Sequence, residues 1–166
     1  MTLVEKSKSI ACELLIPRRY AHACQVAKIL INPSEEELAA AFCHDILEDT
    51  FISEEVLKNE LGEKVVNIIK ELTNNFNNFE EIRDFSYFKN ASLEAKKIKL
   101  ADRIDNINRR LSYNINYNNY KTFLNYSVET EGLLTALKDS EPELENILNK
   151  MIKILKDKCS KYIYDI

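Results

Sequence analysis

Apolar residues recur every three or four positions through most of the 166-residue chain, a spacing that predicts amphipathic helices. Two S/T-x-x-E sequences, at residues 2–5 and 34–37, are capping boxes that should each begin a helix. The helix predicted at 38–47 is apolar nearly all round until it reaches the sequence HDILED, so it should lie at the centre of the fold. The pattern predicts an all-α protein.

Residues that cap or break helices set the limits of the other predicted elements. The first two helices should end before Pro17 and Pro33, because proline cannot continue a helix. Ser53 should begin a short helix, and Gly62 should end it in the left-handed αL conformation. Further helices are predicted at about 18–31, 65–72, 79–90, 92–111, 119–137 and 141–157.

The composition excludes several classes of site and supports a single helical domain. The chain has 2 Gly and 3 Pro, which excludes a glycine-rich phosphate loop and disfavours a sandwich or barrel with many tight turns. It has 17 Asn, and clusters at 74–78 and 114–119 should form turns, since Asn adopts turn conformations readily. We expect one bundle of about seven or eight helices over 1–166, with the sequence motifs in about 18–110 and a helical extension at about 119–166.

The net charge and the cysteine pattern indicate which classes of partner and which cellular compartment to expect. The net charge of -4 and a pI near 5.4 argue against a general nucleic-acid binder. The four cysteines form no CxxC pair, and Cys12, Cys24 and Cys43 have apolar neighbours, so we expect these three in the core. No apolar run has the length of a signal-peptide core or a membrane span. We expect a cytoplasmic protein without a membrane partner, and the sequence leaves a homo-oligomer open.

The chain has two histidines, and the second begins a group of ionisable residues. His44 is followed by Asp45, Glu48 and Asp49, and on a continuous helix residues four apart would share a face. These groups end a helix that is otherwise apolar, and buried charges need compensation, for which a metal ion is one solution. His22 lies among small apolar residues on another predicted helix.

A third motif, IKLADRID at 98–105, places Asp102 among apolar residues. Two histidines and two aspartates from three helices would form a mixed nitrogen and oxygen site, which suits Mn²⁺, Fe²⁺ or Zn²⁺ better than Ca²⁺. Each feature also has a purely structural explanation. His22 could be a hydrogen-bonded core residue, the acids near His44 could be solvated, and Asp102 with Arg103 could form a surface ion pair.

The three motifs together resemble those of HD-domain metal-dependent phosphohydrolases. RYAH at 19–22, HDILEDT at 44–50 and IKLADRIDN at 98–106 are similar in order and spacing to motifs of the hydrolase domain of RelA/SpoT alarmone enzymes. The resemblance covers about 18–110, and LGEKVVNIIKELT at 61–73 belongs to it. Because no nucleotide-synthesising domain follows, the chain resembles the small stand-alone alarmone hydrolases.

The resemblance implies an all-α HD-type bundle and a specific set of site residues. It implies ligands for a divalent ion, usually Mn²⁺, at His22, His44, Asp45 and Asp102. It implies that Glu48 and Asp49 act on the attacking water and that Asn106 contacts the nucleotide. The implied reaction removes the 3′-pyrophosphate of (p)ppGpp, giving GDP or GTP.

Substrate phosphates would need cations, and the basic residues near the motifs are the candidates. The window 34–60 has a net charge of -8 and the window 95–110 one of +4, so an acidic metal side could face a basic phosphate side, although a solvated basic helix face would look the same. The candidates are Arg18, Arg19, Lys99, Arg103 and Arg109.

The chain departs from the family pattern at Ala23, Asp105 and Asn108, where Pro, His or Tyr, and Arg are usual. A phosphatase acting on NADPH or another nucleotide, and a non-catalytic nucleotide-binding module, are therefore alternatives. A nuclease is disfavoured by the acidic pI.

Overall fold

Helices form the regular structure of residues 1–73 and 85–163, the ranges that this computed structural model describes. These ranges contain no β-strand, which confirms the predicted all-α class. Eight of the nine α-helices in them are longer than a single turn. The elements are α1 (Leu3–Leu14), α2 (Pro17–Ile29), α3 (Glu35–Phe42), α4 (Ile46–Asp49), α5 (Glu54–Leu61), α6 (Glu63–Leu72), a 3-10 helix (Ser86–Asn90), α7 (Leu93–Leu111), α8 (Tyr120–Ala136) and α9 (Pro142–Ser160).

Both capping boxes form as predicted. The Glu5 backbone N–H donates to Thr2 Oγ1 and the Thr2 N–H donates to Glu5 Oε2, over 3.2 and 2.7 Å. Ser34 and Glu37 exchange the same pair of hydrogen bonds, over 3.1 and 2.7 Å, at the start of α3. Each box satisfies N–H groups that have no partner within the first helical turn.

The helix predicted at 38–47 is interrupted at the sequence that carries the candidate chemistry. α3 ends at Phe42, and Cys43 and Asp45 have φ,ψ of -112°,12° and -104°,4°, between the α and β regions. α4 then begins at Ile46. The prediction of one continuous helix is wrong, so His44 and Asp45 lie in a turn between two helices.

Gly62 joins α5 to α6 in a conformation that only glycine adopts easily. Its φ of 85° is positive, as predicted, but its ψ of 159° lies outside the αL region. The αL prediction is therefore wrong. A single residue caps the C-terminus of one helix and precedes the first residue of the next.

The core lies around α3 and extends along α7 to the C-terminal helices. Ala39, Ala40 and Ala41 are fully buried, and these small side chains let α1, α2, α6 and α7 pack on α3. This confirms the predicted central position of the helix. At the other end α9 packs on α7 and α8. Cys43 is buried as expected, but Cys12 is exposed, so its predicted core position is wrong.

Asparagine side chains build the turn before α8. Asn119 Oδ1 accepts from the Asn116 N–H, and Asn116 Oδ1 accepts from the Asn118 N–H. The predicted turn at 74–78 and the 79–84 part of a predicted helix fall outside the described residues. In the ranges that are described, no helix combines the length and apolar character needed to cross a membrane.

Candidate metal centre

Three segments distant in sequence bring two histidines and several acids together. α2 carries His22, the turn after α3 carries His44 and Asp45, and α7 carries Asp102. One potential ligand atom from each of His22, His44 and Asp45 lies within 4.8 Å of the other two. The two imidazole rings meet edge to face, with centroids 5.1 Å apart. The potential ligand atoms of two buried histidines and one half-buried aspartate therefore lie close together.

His22 lies between two carboxylates of α7. Its Nε2 atom is 3.1 Å from Asp102 Oδ1, and its Nδ1 atom is 2.7 Å from Asp105 Oδ2. All three side chains are 7% exposed. Asp102 thereby adjoins the group formed by His22, His44 and Asp45.

His44 presents one ring nitrogen to the centre of the site. Its Nδ1–H can donate to the Ala41 carbonyl over 2.9 Å, which leaves Nε2 as the nitrogen with a lone pair. Nε2 is buried and makes no hydrogen bond, although Asp45 Oδ2 is 3.1 Å away. A metal-ligating histidine typically donates a hydrogen bond from one ring nitrogen, which fixes the ring, while the other nitrogen faces the ion. The residues therefore fit a divalent ion.

Buried charges in the site shift the pKa values of its members. Burial of His44 disfavours its charged form, but the carboxylates of Asp45 and Asp102 outweigh this and raise the pKa of His44 to about 9. Burial acts to raise the pKa of Asp102, yet Lys99 and both histidines hold it well below its usual value. The site thus stabilises carboxylate anions around a position that attracts positive charge.

The predicted acidic pair lies on α4, next to the turn. Glu48 is exposed, whereas the Asp49 side chain is 13% exposed and Asp49 Oδ2 is 2.8 Å from Arg19 Nη1. Burial raises the pKa of Asp49, while the charge of Arg19 acts to lower it. The charges of Asp45 and of both histidines also act on the pKa of Asp49.

The predicted substrate-binding residues divide into two sets. Arg18, Arg19 and Arg109 line a cavity of about 350 Å³ that reaches His22, and Arg18 and Arg109 also line an adjoining one of about 810 Å³. The second set lines neither of these two cavities and, like Arg19 and Arg109, contacts other side chains of the protein. Lys99 Nζ is 3.0 Å from Asp102 Oδ2, Asn106 Nδ2 donates to Asp102 Oδ1, and Arg103 stacks on the rings of Phe85 and Tyr126.

Asp105 is the site residue that sequence reasoning missed as a participant. Its residue type departs from the family pattern, yet it contacts His22 directly. Its position three residues after Asp102 was the available signal, because residues three apart share a helix face. The apolar flanks Ile104 and Ile107 also indicated that this face is buried.

The chain is similar in sequence to known proteins. The HD domain family model matches residues 18–113. The guanosine-3′,5′-bis(diphosphate) 3′-pyrophosphohydrolase MESH1 of Drosophila melanogaster is 37% identical over 76 residues, which cover 44% of this chain. The match spans only 42% of the fly protein.

Two solved structures share the fold. The structure of a metazoan orthologue of SpoT, described as hydrolysing ppGpp, has a TM-score of 0.78 and 22% identity, covering 93% of this chain and 96% of that one. The crystal structure of lmo0812 from Listeria monocytogenes EGD-e has a TM-score of 0.67 and 21% identity, covering 85% and 99%. Both likenesses cover a larger share of the chain than residues 18–113.

Proposed function

The chain belongs to the HD domain family, and we propose that it is a metal-dependent phosphohydrolase that removes pyrophosphate from a nucleotide. The first candidate substrate is (p)ppGpp, because the fly relative that is 37% identical is a guanosine-3′,5′-bis(diphosphate) 3′-pyrophosphohydrolase. The observation that carries the proposal is the convergence of His22, His44 and Asp45 within 4.8 Å. We also propose a cytoplasmic location, since dispersed cysteines suit a reducing compartment.

We propose that His22, His44, Asp45 and Asp102 hold the ion and that the ion is Mn²⁺. Two imidazole nitrogens and two carboxylates form a ligand set that suits Mn²⁺, Fe²⁺ or Zn²⁺. When bound, such an ion polarises a phosphoryl oxygen and lowers the pKa of a water molecule. The unsatisfied Nε2 atom of His44 supports this assignment.

Asp49 is the side chain that we propose takes the proton from the attacking water, assisted by Glu48. Burial raises the pKa of Asp49, which makes it a stronger base than an exposed aspartate. Water adds to phosphorus, the bond from phosphorus to the ribose 3′ oxygen breaks, and the proton held by Asp49 passes to that oxygen. With ppGpp the products are GDP and pyrophosphate.

We propose that the arginines around the cavities neutralise the remaining phosphates. Arg18 and Arg109 line both cavities next to His22, and Arg19 lies beside Asp49. Lys99 and Asn106 act closer to the ion, because both contact Asp102. We propose that Arg103 supports this surface through its aromatic contacts with Phe85 and Tyr126.

A substrate screen with the metal-loaded protein tests the proposal. The panel contains ppGpp, pppGpp, NADPH and ordinary nucleotides, each with Mn²⁺, with EDTA, and with Mn²⁺ restored after EDTA. We expect release of pyrophosphate from ppGpp that EDTA abolishes and Mn²⁺ restores. If the protein releases phosphate from NADPH and acts on no other compound, NADPH replaces (p)ppGpp as the proposed substrate. If the metal-loaded protein turns over none of the compounds, a non-catalytic nucleotide-binding module is favoured.

Variants of the acidic pair separate an enzyme from a binding module. Glu48→Gln and Asp49→Asn remove the proposed proton acceptors while the four proposed ligands stay in place. We expect each to lower kcat by 10²–10⁴-fold, the usual contribution of a general base, with Mn²⁺ affinity within about threefold of the parent. Equal loss of metal affinity and rate would contradict the assigned roles.

A further inference from the structure

We propose that Asp105 is a positioning residue that fixes the ring of His22 for metal binding and connects the metal centre to Arg109. The inference rests on the proposed function, because it concerns a residue that contacts one of the proposed metal ligands. Asp105 lies on α7, and its side chain is 7% exposed. Its Oδ2 atom is 2.7 Å from His22 Nδ1.

The contact decides which nitrogen of His22 faces the site. A carboxylate only accepts hydrogen bonds, so Nδ1 must carry the proton that it donates to Asp105. Neutral His22 then has its lone pair on Nε2, which is 3.1 Å from Asp102 Oδ1, another acceptor. Two acceptors this close need a proton or a metal ion between them. Asp105 therefore selects the tautomer in which His22 and Asp102 can bind one ion together.

The second contact of Asp105 balances its buried charge. Arg109 Nε is 3.2 Å from the same Oδ2 atom. The Asp105 carboxylate therefore faces the guanidinium group of Arg109 and also accepts a hydrogen bond from His22 Nδ1–H. Arg109 also lines the cavities next to His22, so one carboxylate contacts both a proposed ligand and a proposed phosphate-binding residue.

Two further hydrogen bonds connect Arg109 back to Asp102 and complete a closed ring of side chains. Arg109 Nη2 donates to Asn106 Oδ1 over 2.6 Å, and Asn106 Nδ2 donates to Asp102 Oδ1 over 2.5 Å. Asp102 then meets His22, which returns to Asp105. Each member contacts two neighbours, so the loss of Asp105 leaves His22 with Asp102 alone and Arg109 with Asn106 alone.

Metal binding in the absence of substrate tests this role. Mn²⁺ affinity is measured by titration calorimetry, and the visible absorption of Co²⁺-loaded protein reports the geometry around the ion. We expect Asp105→Ala to weaken Mn²⁺ binding by up to 100-fold, the range known for partners of metal ligands, and to change the Co²⁺ spectrum. Asp105→Asn should lose about tenfold, since an amide oxygen can still accept from Nδ1.

Glu37→Gln is the matched control, because it also removes one buried negative charge. Glu37 lies at the start of α3, where glutamine can keep the capping box, and it pairs with Lys97. We expect its Mn²⁺ affinity and Co²⁺ spectrum to match the parent. Circular dichroism of each metal-free variant verifies folding, and if Asp105→Ala does not fold, Asp105→Asn decides the question.

The outcomes separate this inference from the proposed function. If the parent protein binds neither Mn²⁺ nor Co²⁺, the proposed function fails and the inference fails with it. If the parent binds both ions and both Asp105 variants bind within twofold with unchanged Co²⁺ spectra, only the inference is overturned. Selective loss in the Asp105 variants, with Glu37→Gln unchanged, supports it.

Discussion

His44 makes metal binding at the proposed centre depend on pH. A metal needs the neutral ring, whereas the surrounding carboxylates raise the pKa of His44 to about 9 in the metal-free protein. We expect Mn²⁺ affinity to rise about tenfold per pH unit between pH 6.5 and 8.5, with release of about one proton. Calorimetry in buffers of different ionisation enthalpy measures both quantities, and an affinity that does not change over this range would contradict the prediction.

The same shift has the opposite effect on the stability of the metal-free fold. A histidine whose pKa is higher folded than unfolded stabilises the protein fully below its unfolded value near 6.5. That contribution is lost as the pH rises through about 9. Thermal unfolding in EDTA should therefore show a decrease in Tm across this window, and His44→Gln should remove the His44 contribution to it.

Lys99 offsets the negative charge of the Asp102 carboxylate. Its ammonium group is 3.0 Å from Asp102 Oδ2, and both residues are buried. Lys99→Met leaves a buried carboxylate without this partner, and breaking a buried pair in this way costs about 3–5 kcal/mol. We expect the metal-free variant to lose about that much unfolding free energy in urea, and saturating Mn²⁺ to restore more stability than in the parent. Equal stabilisation of the two by Mn²⁺ would refute this.

At the scale of elements, the two glycines of the chain should respond to alanine with opposite signs. Gly62→Ala meets no atom within 4 Å, so its cost comes only from the φ of 85° and should be about 1–3 kcal/mol. Gly132 lies inside α8, and a Cβ there would be 3.8 Å from Phe85 Cδ2, an ordinary contact. Gly132→Ala should gain about 1 kcal/mol from helix propensity. Urea unfolding of both variants measures the difference, and a shared sign would contradict it.

Local signals predicted most helix starts, because capping depends on residues three apart. The boxes at Thr2 and Ser34 form as expected. The break at Cys43–Asp45 had no such signal, since neither Pro nor Gly marks it and apolar residues resume directly after it at Ile46 and Leu47. The sequence did not predict the ψ angle of Gly62 either, because a positive φ is compatible both with αL and with the extended region that glycine also adopts. Both errors concern backbone angles that the surrounding helices determine.

At the scale of the whole molecule, the sequence motifs predicted which residues form the proposed ligand set, but not which side chains contact those ligands. His22 and Asp102 are 80 residues apart, and nothing in their spacing shows that they meet. Resemblance to a family supplied that pairing. It could not supply the contact from Asp105 to His22, because this chain departs from the family pattern at that position. Long-range side-chain geometry therefore had to come from the structure.

The C-terminal helix should stabilise the proposed metal centre from a distance, because α9 packs on α7, which carries Asp102. Leu148 on α9 is fully buried, so Leu148→Ala should cost about 2–5 kcal/mol of unfolding free energy. Ile154 on the same helix is 48% exposed, so Ile154→Ala should cost much less.

If residues 1–166 form one domain, both variants unfold in a single transition, and Mn²⁺ at 100 times its Kd raises the stability of each by about 2.7 kcal/mol. Circular dichroism and hydrogen exchange of α9 amides measure this. Two transitions, with Mn²⁺ protecting only the region at 18–110, would show that the C-terminal helices are a separate unit.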